Sequence, residues 1–314
     1  MIDFAAIRGL RVGQAETPDG ASGVTAVLFY AAVPTVVDVR GGASATYDTA
    51  SLALDATFGR RWAIFFTGGS LYGLDAARGI RTRILESGGG GSAFRNPNPV
   101  VPISGAALFD LPRRKGPIPD YLPLGYAAAS RAGSRRVALG RVGAGAGATV
   151  GKYLGRHRAM HGGIGAAAAR LPGRGAIGVL AAVNAVGAVR DPGSGRWVAG
   201  ARHPRGGISP PEPHSSHRDR TTGTTLALVA TDLDLPRTTL YRIAAMAHTG
   251  LAAAIVPFHS STDGDVVFAA ATGVAGAPRT ERRPGETADR LGLVAAELAG
   301  AAVRCAVREG NLGV

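Results

Sequence analysis

Thr224 stands in the run T-T-G-T-T-L-A-L-V-A-T-D, residues 221–232, directly after Gly223 and ahead of an apolar, β-branched stretch. A hydroxyl at a loop-to-strand junction is ordinarily a turn residue, but one held beside a base can act as a nucleophile. Asp263 and Asp265 flank Gly264 further along the chain. Asp-Gly is a favoured turn pair. Equally, two acids two residues apart in an extended segment project to one face and can relay protons to a nearby hydroxyl. Asn184 is the one polar residue in A-I-G-V-L-A-A-V-N-A-V-G, Ala176–Gly187. A buried Asn must be hydrogen-bonded, either to neighbouring backbone or, as an amide donor, to an oxyanion. Taken singly, each residue admits both readings.

Two other motifs dissolve on inspection. Gly143, Gly145 and Ala148 satisfy the dinucleotide spacing G-x-G-x-x-A, yet no Asp or Glu occurs between Asp120 and Asp191 to hold a ribose. Gly147, Gly151 and Gly155 are also poor helix formers, so no nicotinamide cofactor is expected. Glycines at this density, Gly145 among them, instead suggest backbone packed closely against backbone or against a ligand. His157 and His161 have the helical spacing of a zinc pair. However, Arg158 occupies the stretch that would carry the general base, and Gly162-Gly163 follow at once. His214 and His217 have no partner carboxylates nearby in sequence, and Asp263 and Asp265 lack a third ligand, so no metal is expected.

The elements that must position these residues are of mixed kind. Val24–Tyr30 and Thr35–Val39 read as strands joined by a Pro-containing turn, and Trp62–Thr67 as a buried strand feeding Gly68-Gly69-Ser70 and a helix over Leu74–Glu86. Residues 87–103 and 111–125 read as loops, with a short strand Ala106–Asp110 between them. A helical turn Ala127–Arg131 and a strand Arg136–Arg141 come next. Residues 188–223 form a long loop open to cleavage. Beyond Thr224 come a strand, a helix Leu235–Ile255, a turn Pro257–Asp265, a strand Val266–Ala271 and a closing helix Glu286–Arg308. This order favours an α+β fold over a regular βαβ series.

Composition narrows the function. The chain has 314 residues, 46% of them hydrophobic, enough for one sizeable core. Its net charge of +13 is carried by arginine, with Lys115 and Lys152 the only lysines. The arginines are spread apart from short clusters such as Arg60-Arg61 and Arg135-Arg136. Aromatics are only 6% and do not alternate with them, which disfavours nucleic acid as a partner. Cys305 is the single cysteine, so no intrachain disulfide is possible. The N-terminus lacks the features of a signal peptide and no apolar run has membrane-spanning length, so a cytoplasmic location is expected.

Eight segments in order carry a resemblance. They are D-V-R-G-G (Asp38–Gly42), T-G-G-S-L-Y-G-L-D-A (Thr67–Ala76), V-G-A-G-A-G-A-T-V-G-K (Val142–Lys152) and G-G-I-G (Gly162–Gly165). A-V-N-A-V-G (Ala182–Gly187), G-T-T-L-A-L-V-A-T-D (Gly223–Asp232), M-A-H-T-G-L-A-A-A-I-V-P-F-H (Met246–His259) and T-D-G-D-V-V-F-A-A-A-T-G (Thr262–Gly273) complete the set. The chain resembles the L-aminopeptidase/D-esterase family, which includes β-aminopeptidases and the endo-type 6-aminohexanoate-oligomer (nylon oligomer) hydrolase.

That resemblance implies an N-terminal-nucleophile hydrolase with a four-layer αββα sandwich and Thr224 at the start of a central strand. Residues 1–314 would form a single domain that cuts itself at Gly223–Thr224 into chains 1–223 and 224–314. Thr224 matches the nucleophile, Asp263 and Asp265 the acidic pair of the nylon-hydrolase branch, and Lys152 and Asn184 positions lining the same site. On this match Asn184 is assigned as the oxyanion donor and Lys152 to charge or positioning. Tyr153 is a second-choice donor, and Gly145 lies in the substrate-binding segment. A free α-amine with a pKa of about 7.7–8.0 would serve Thr224 as base. No cofactor is implied, and the family commonly assembles as a tetramer of processed heterodimers. The alternative within the superfamily is an acyltransferase of the ornithine acetyltransferase type, in which the acyl group passes to an amine instead of water.

Overall fold

The computed structural model describes residues 2–92, 98–111, 116–173, 175–212, 222–278 and 283–313. Strands β1 (Leu10–Glu16), β2 (Gly23–Val39), β3 (Ala45–Tyr47) and β4 (Arg60–Thr67) come first, then helix α1 (Ala76–Glu86), β5 (Ile103–Ala107) and α2 (Tyr121–Ser130). Next are β6 (Thr149–Val150), β7 (Met160–His161), β8 (Gly163–Arg170) and β9 (Ala176–Asn184). Four short strands follow: β10 (Ala188–Arg190), β11 (Trp197–Ala199), β12 (Ala201–Arg202) and β13 (Ile208–Ser209). Last are β14 (Thr224–Leu233), α3 (Arg237–Ala254), β15 (Ile255–Val256), β16 (Val266–Gly276) and α4 (Glu286–Gly310).

The main strands hydrogen-bond in the order β3-β5-β4-β2-β16-β14-β9-β8, with β1 on β2. Strand β2 serves two sheets. Its residues up to Pro34 pair with β1 and β4, whereas Thr35–Val39 pair with β16. Side-chain alternation then sorts the layers. Leu226, Leu228 and Ala230 of β14 join Leu180, Ala182, Val266, Phe268, Ile64 and Phe66 in a core between the two sheets. The opposite faces of β9, β14 and β16 (Val179, Ala227, Val229 and Val267) pack with Leu240, Ile243, Leu291 and Val303 of α3 and α4. On the other side Ala63 and Phe65 pack with Ile80, Ile84 and Ala128 of α1 and α2. The result is the four-layer αββα sandwich of an α+β protein.

The structure differs from the sequence reading at several elements. The two strands expected over 24–39 are one, because the register shift against β4 between Leu28 and Val33 absorbs the bend around Pro34. Helix α2 begins at Tyr121, where Asp120 accepts the Leu122 amide at 3.0 Å, so Pro123 falls in the first turn, where no donor is needed. No strand forms over 136–141; Gly140 alone bridges to Ile164 of β8. The expected 188–223 loop contains β10 to β13, while its His214 and His217 lie outside the described residues. Among the described residues no helix is long and apolar enough to cross a membrane.

Candidate active site

Strands β14 and β16 run parallel, with Leu226 opposite Val266, and α3 supplies the crossover that parallel neighbours require. Their N-terminal ends therefore lie side by side. This is why Asp263-Gly264-Asp265, far from Thr224 in sequence, touches it in space: Gly223 bridges to Asp263, and the Gly264 amide donates to Gly223 O at 3.0 Å. On its other edge β14 pairs antiparallel with β9, placing Thr224 directly opposite Asn184. Side chains so placed share a face, with Cβ atoms about 5 Å apart.

Around this point Thr224, Asp263, Asp265, Lys152 and Asn184 are all buried. Thr224 Oγ1 donates to Gly223 O at 2.5 Å. Asp265 accepts the Thr225 amide at 2.7 Å through one oxygen, and the amide and Nδ1 of His259 at 3.1 and 3.0 Å through the other. Asp263 accepts Ser260 Oγ at 2.6 Å and the Val186 amide at 3.4 Å. Burial raises the Asp263 carboxyl above the usual range and the charge of Asp265 adds to the rise, while Ser260, Val186 and Lys152 oppose it.

Lys152 Nζ donates to Asn184 O at 2.6 Å, Asn184 Oδ1 at 2.9 Å and Ala185 O at 3.3 Å. Three acceptors match the three N–H bonds of an ammonium. Burial nevertheless pulls Lys152 down to about 7, against the attraction of Asp263, Asp110 and Asp265. Asn184 Oδ1 also takes the Thr149 amide at 2.9 Å, and its Nδ2 donates to Phe109 O at 3.2 Å.

Five of the side chains singled out in the sequence thus converge with Gly223. Two other positions do not join them. Tyr153 donates to Ser209 O at 2.5 Å and packs with Val186, Ala188 and Ala201. Gly145 faces β8 so closely that a Cβ there would lie 2.4 Å from Ile164 N. The His157/His161 spacing is not helical, since His157 sits in a short 3₁₀ turn and His161 in β7. The sequence reading did not single out Gly264, Ser260 or His259. His259 was visible only as one residue of a longer motif, and the Gly264 amide carries no side-chain signal at all.

Residues 3–311 match the model of Peptidase family S58. An uncharacterized aminopeptidase of Mycobacterium tuberculosis is 36% identical, over 98% of this chain and 92% of its own length. A 6-aminohexanoate-oligomer endohydrolase of Kocuria sp. is 30% identical, over 92% of this chain and 79% of its own. In structure, the L-aminopeptidase D-Ala-esterase/amidase from Ochrobactrum anthropi, described as a variant of the Ntn hydrolase fold, superposes with a TM-score of 0.69. That match has 19% identity and covers 97% of this chain and 85% of that one. The sandwich and a match along nearly the whole sequence agree: the chain belongs to peptidase family S58, the L-aminopeptidase/D-esterase type of amide-bond hydrolase.

Proposed function

We propose that this protein is a self-processing N-terminal-nucleophile amide hydrolase. The single unit 1–314 cuts the Gly223–Thr224 bond and then uses Thr224 on short peptide-like or oligoamide substrates. The observation that carries the reading is that two donors meet on one carbonyl oxygen: Gly223 O accepts from Thr224 Oγ1 at 2.5 Å and from the Gly264 amide at 3.0 Å. The attacking hydroxyl and an N–H suited to the developing oxyanion are therefore together at the bond to be cut. Attack of Oγ1 on the Gly223 carbonyl carbon forms the C–O bond and breaks the C–N bond, leaving an ester on Oγ1 and a free Thr224 amine. One water hydrolyses the ester, releases the Gly223 carboxyl and returns the hydroxyl proton. Asp263, its carboxyl kept high by burial, is suited to relay the proton given up by Oγ1 to the departing nitrogen. In turnover the new amine accepts the Oγ1 proton as the hydroxyl attacks the substrate amide, the leaving amine takes that proton away, and a water then hydrolyses the ester on Oγ1, releasing the acid and restoring the hydroxyl.

The test is denaturing electrophoresis of the purified protein with N-terminal sequencing of the smaller band, which should begin at Thr224. A single uncut chain that still hydrolyses amides would overturn the proposal. Aminoacyl p-nitroanilides assayed beside linear 6-aminohexanoate oligomers separate exo- from endo-action. The relatives named above span both substrate types. The proposed setting is the cytoplasm, with processed heterodimers assembled into a tetramer.

Gly223 itself gives a second expectation. A Cβ there would lie 2.4 Å from both Val186 N and Asp263 Oδ1, so Gly223→Ala must move the scissile carbonyl off the Gly264 amide. Misplacement by about 1 Å costs on the order of 10²-fold in rate, and processing should slow by that factor in a gel time course. Cutting at the parent rate would show that the tight fit is irrelevant.

A further inference from the structure

Asp265 is fully buried and held by two separate sets of contacts. Its backbone is clamped from the end of β2, where the amides of Arg40 and Gly41 both donate to Asp265 O at 3.1 Å. Its carboxylate is oriented from elsewhere. One oxygen takes the Thr225 amide at 2.7 Å, next to Thr224, and the other takes the His259 amide at 3.1 Å and His259 Nδ1 at 3.0 Å. His259 has a φ of +58°, a left-handed conformation that is uncommon outside glycine and clusters at functional sites. In that conformation one residue offers both its backbone and its ring donor to a single oxygen. Nε2 is buried without a partner among the described residues, so the ring makes its hydrogen bond to Asp265 alone. Phe258 and His248 pack against it, with ring centres at 4.0 and 4.8 Å. Burial pulls the His248 ring well below the usual histidine range, and its Nε2 is turned to Asp38 O at 3.2 Å.

We propose that His259 is a positioning residue for the Thr224 reaction: its ring N–H locks the Asp265 carboxylate, which in turn anchors the start of β14. The inference rests on the reading of Thr224 as an N-terminal nucleophile. Once the Gly223–Thr224 bond is cut, Thr224 is a chain end and loses the covalent hold of Gly223. The Thr225 amide bond to Asp265 and the pairing with Asn184 then set where the hydroxyl and the new amine lie. A carboxylate free to rotate would let that end drift, and misplacement by about 1 Å costs on the order of 10²-fold in rate. Because β2 holds the Asp265 backbone without help from His259, loss of the ring nitrogen frees the carboxylate and leaves the turn in place.

The experiment measures kcat and KM on an aminoacyl p-nitroanilide and a linear 6-aminohexanoate oligomer for the parent and for His259→Asn, His259→Gly and His259→Ala, with folding checked by circular dichroism. Asparagine tolerates the left-handed backbone and carries an N–H close to the place of Nδ1. Glycine tolerates that backbone without a donor, and alanine supplies a second chain lacking the donor. The glycine and alanine variants should lose about 10- to 100-fold in kcat with KM nearly unchanged, and asparagine should restore most of the loss. Self-processing followed on gels should rank the chains in the same order. A packing role alone would lower the melting temperature of all three variants and leave the kcat of the folded enzyme as it was. Parent-like kcat in a folded variant without the donor would overturn the positioning role while leaving the hydrolase reading intact. An asparagine variant as slow as the glycine one would overturn it too. A parent that hydrolyses neither substrate would overturn the underlying reading and the role of His259 with it.

Discussion

Thr224→Ala is expected to yield one full-length, folded chain that neither cuts itself nor hydrolyses amides, with activity lower by about 10⁴-fold or more, as when other hydrolases lose their nucleophile. The fold should survive because the change removes little. Thr224 begins β14 with its backbone already paired to β9, and Gly223 O keeps its bond to the Gly264 amide after the hydroxyl is gone. The lost methyl and hydroxyl leave a small gap costing on the order of 1 kcal/mol. Thr224→Ser keeps the hydroxyl and should still process, which separates loss of the nucleophile from loss of packing. Intact mass, circular dichroism and a p-nitroanilide assay on the three proteins suffice. Cutting of the alanine variant at the same bond would mean that another residue or another protein attacks it, and the mechanism proposed above would fall.

The legible part of this site followed from residue type, and the illegible part from backbone geometry. Asn184 could be picked out as a polar side chain in an apolar run that needs a partner, Thr224 as a hydroxyl at a loop-to-strand junction, and Asp263 with Asp265 as two acids on one face. Their meeting could not be read locally, since it depends on the register of β14 with both β9 and β16. The run Leu226–Thr231 is apolar on both faces, so nothing in its pattern shows that Leu226 and Leu228 face the other sheet while Ala227 and Val229 face the helices.

The misread of α2 has a similar origin. Pro123 and Gly125 weaken the helix signal, but a Cβ at Gly125 would lie 2.1 Å from Ala76 O. The glycine is there so that α1 and α2 can touch. At Pro34 the long-range pairing of β2 with β4 and β16 likewise overrode a local breaker. The family resemblance supplied the sandwich that periodicity alone left at the level of α+β.

Lys152→Met should separate the electrostatic role of this residue from its packing. Methionine fills much of the same space without a charge, so the chain should fold while self-processing and amide hydrolysis fall by roughly 10²–10³-fold. Asn184 O and Oδ1 lose their shared donor, and Asp263 loses a cation that opposes its raised pKa. Stability then carries a sign that activity does not. The folded-state pKa of Lys152 is lowered by burial to about 7, whereas in the unfolded chain it stays at about 10.4. Below about pH 7 both states hold the proton, and the full cost of burying the ammonium weighs on the native state. Between about pH 7 and 10 the unfolded state binds the extra proton, so each pH unit favours folding by up to roughly tenfold. The parent should therefore gain stability relative to Lys152→Met as pH rises through that window, with no such trend below it. Paired urea titrations of the two proteins at pH 6, 8 and 9.5 measure the difference. A parent-minus-variant difference that is flat, or that falls with rising pH, would show that the buried amine keeps its proton through the window, and the lowered pKa of Lys152 would have to be withdrawn.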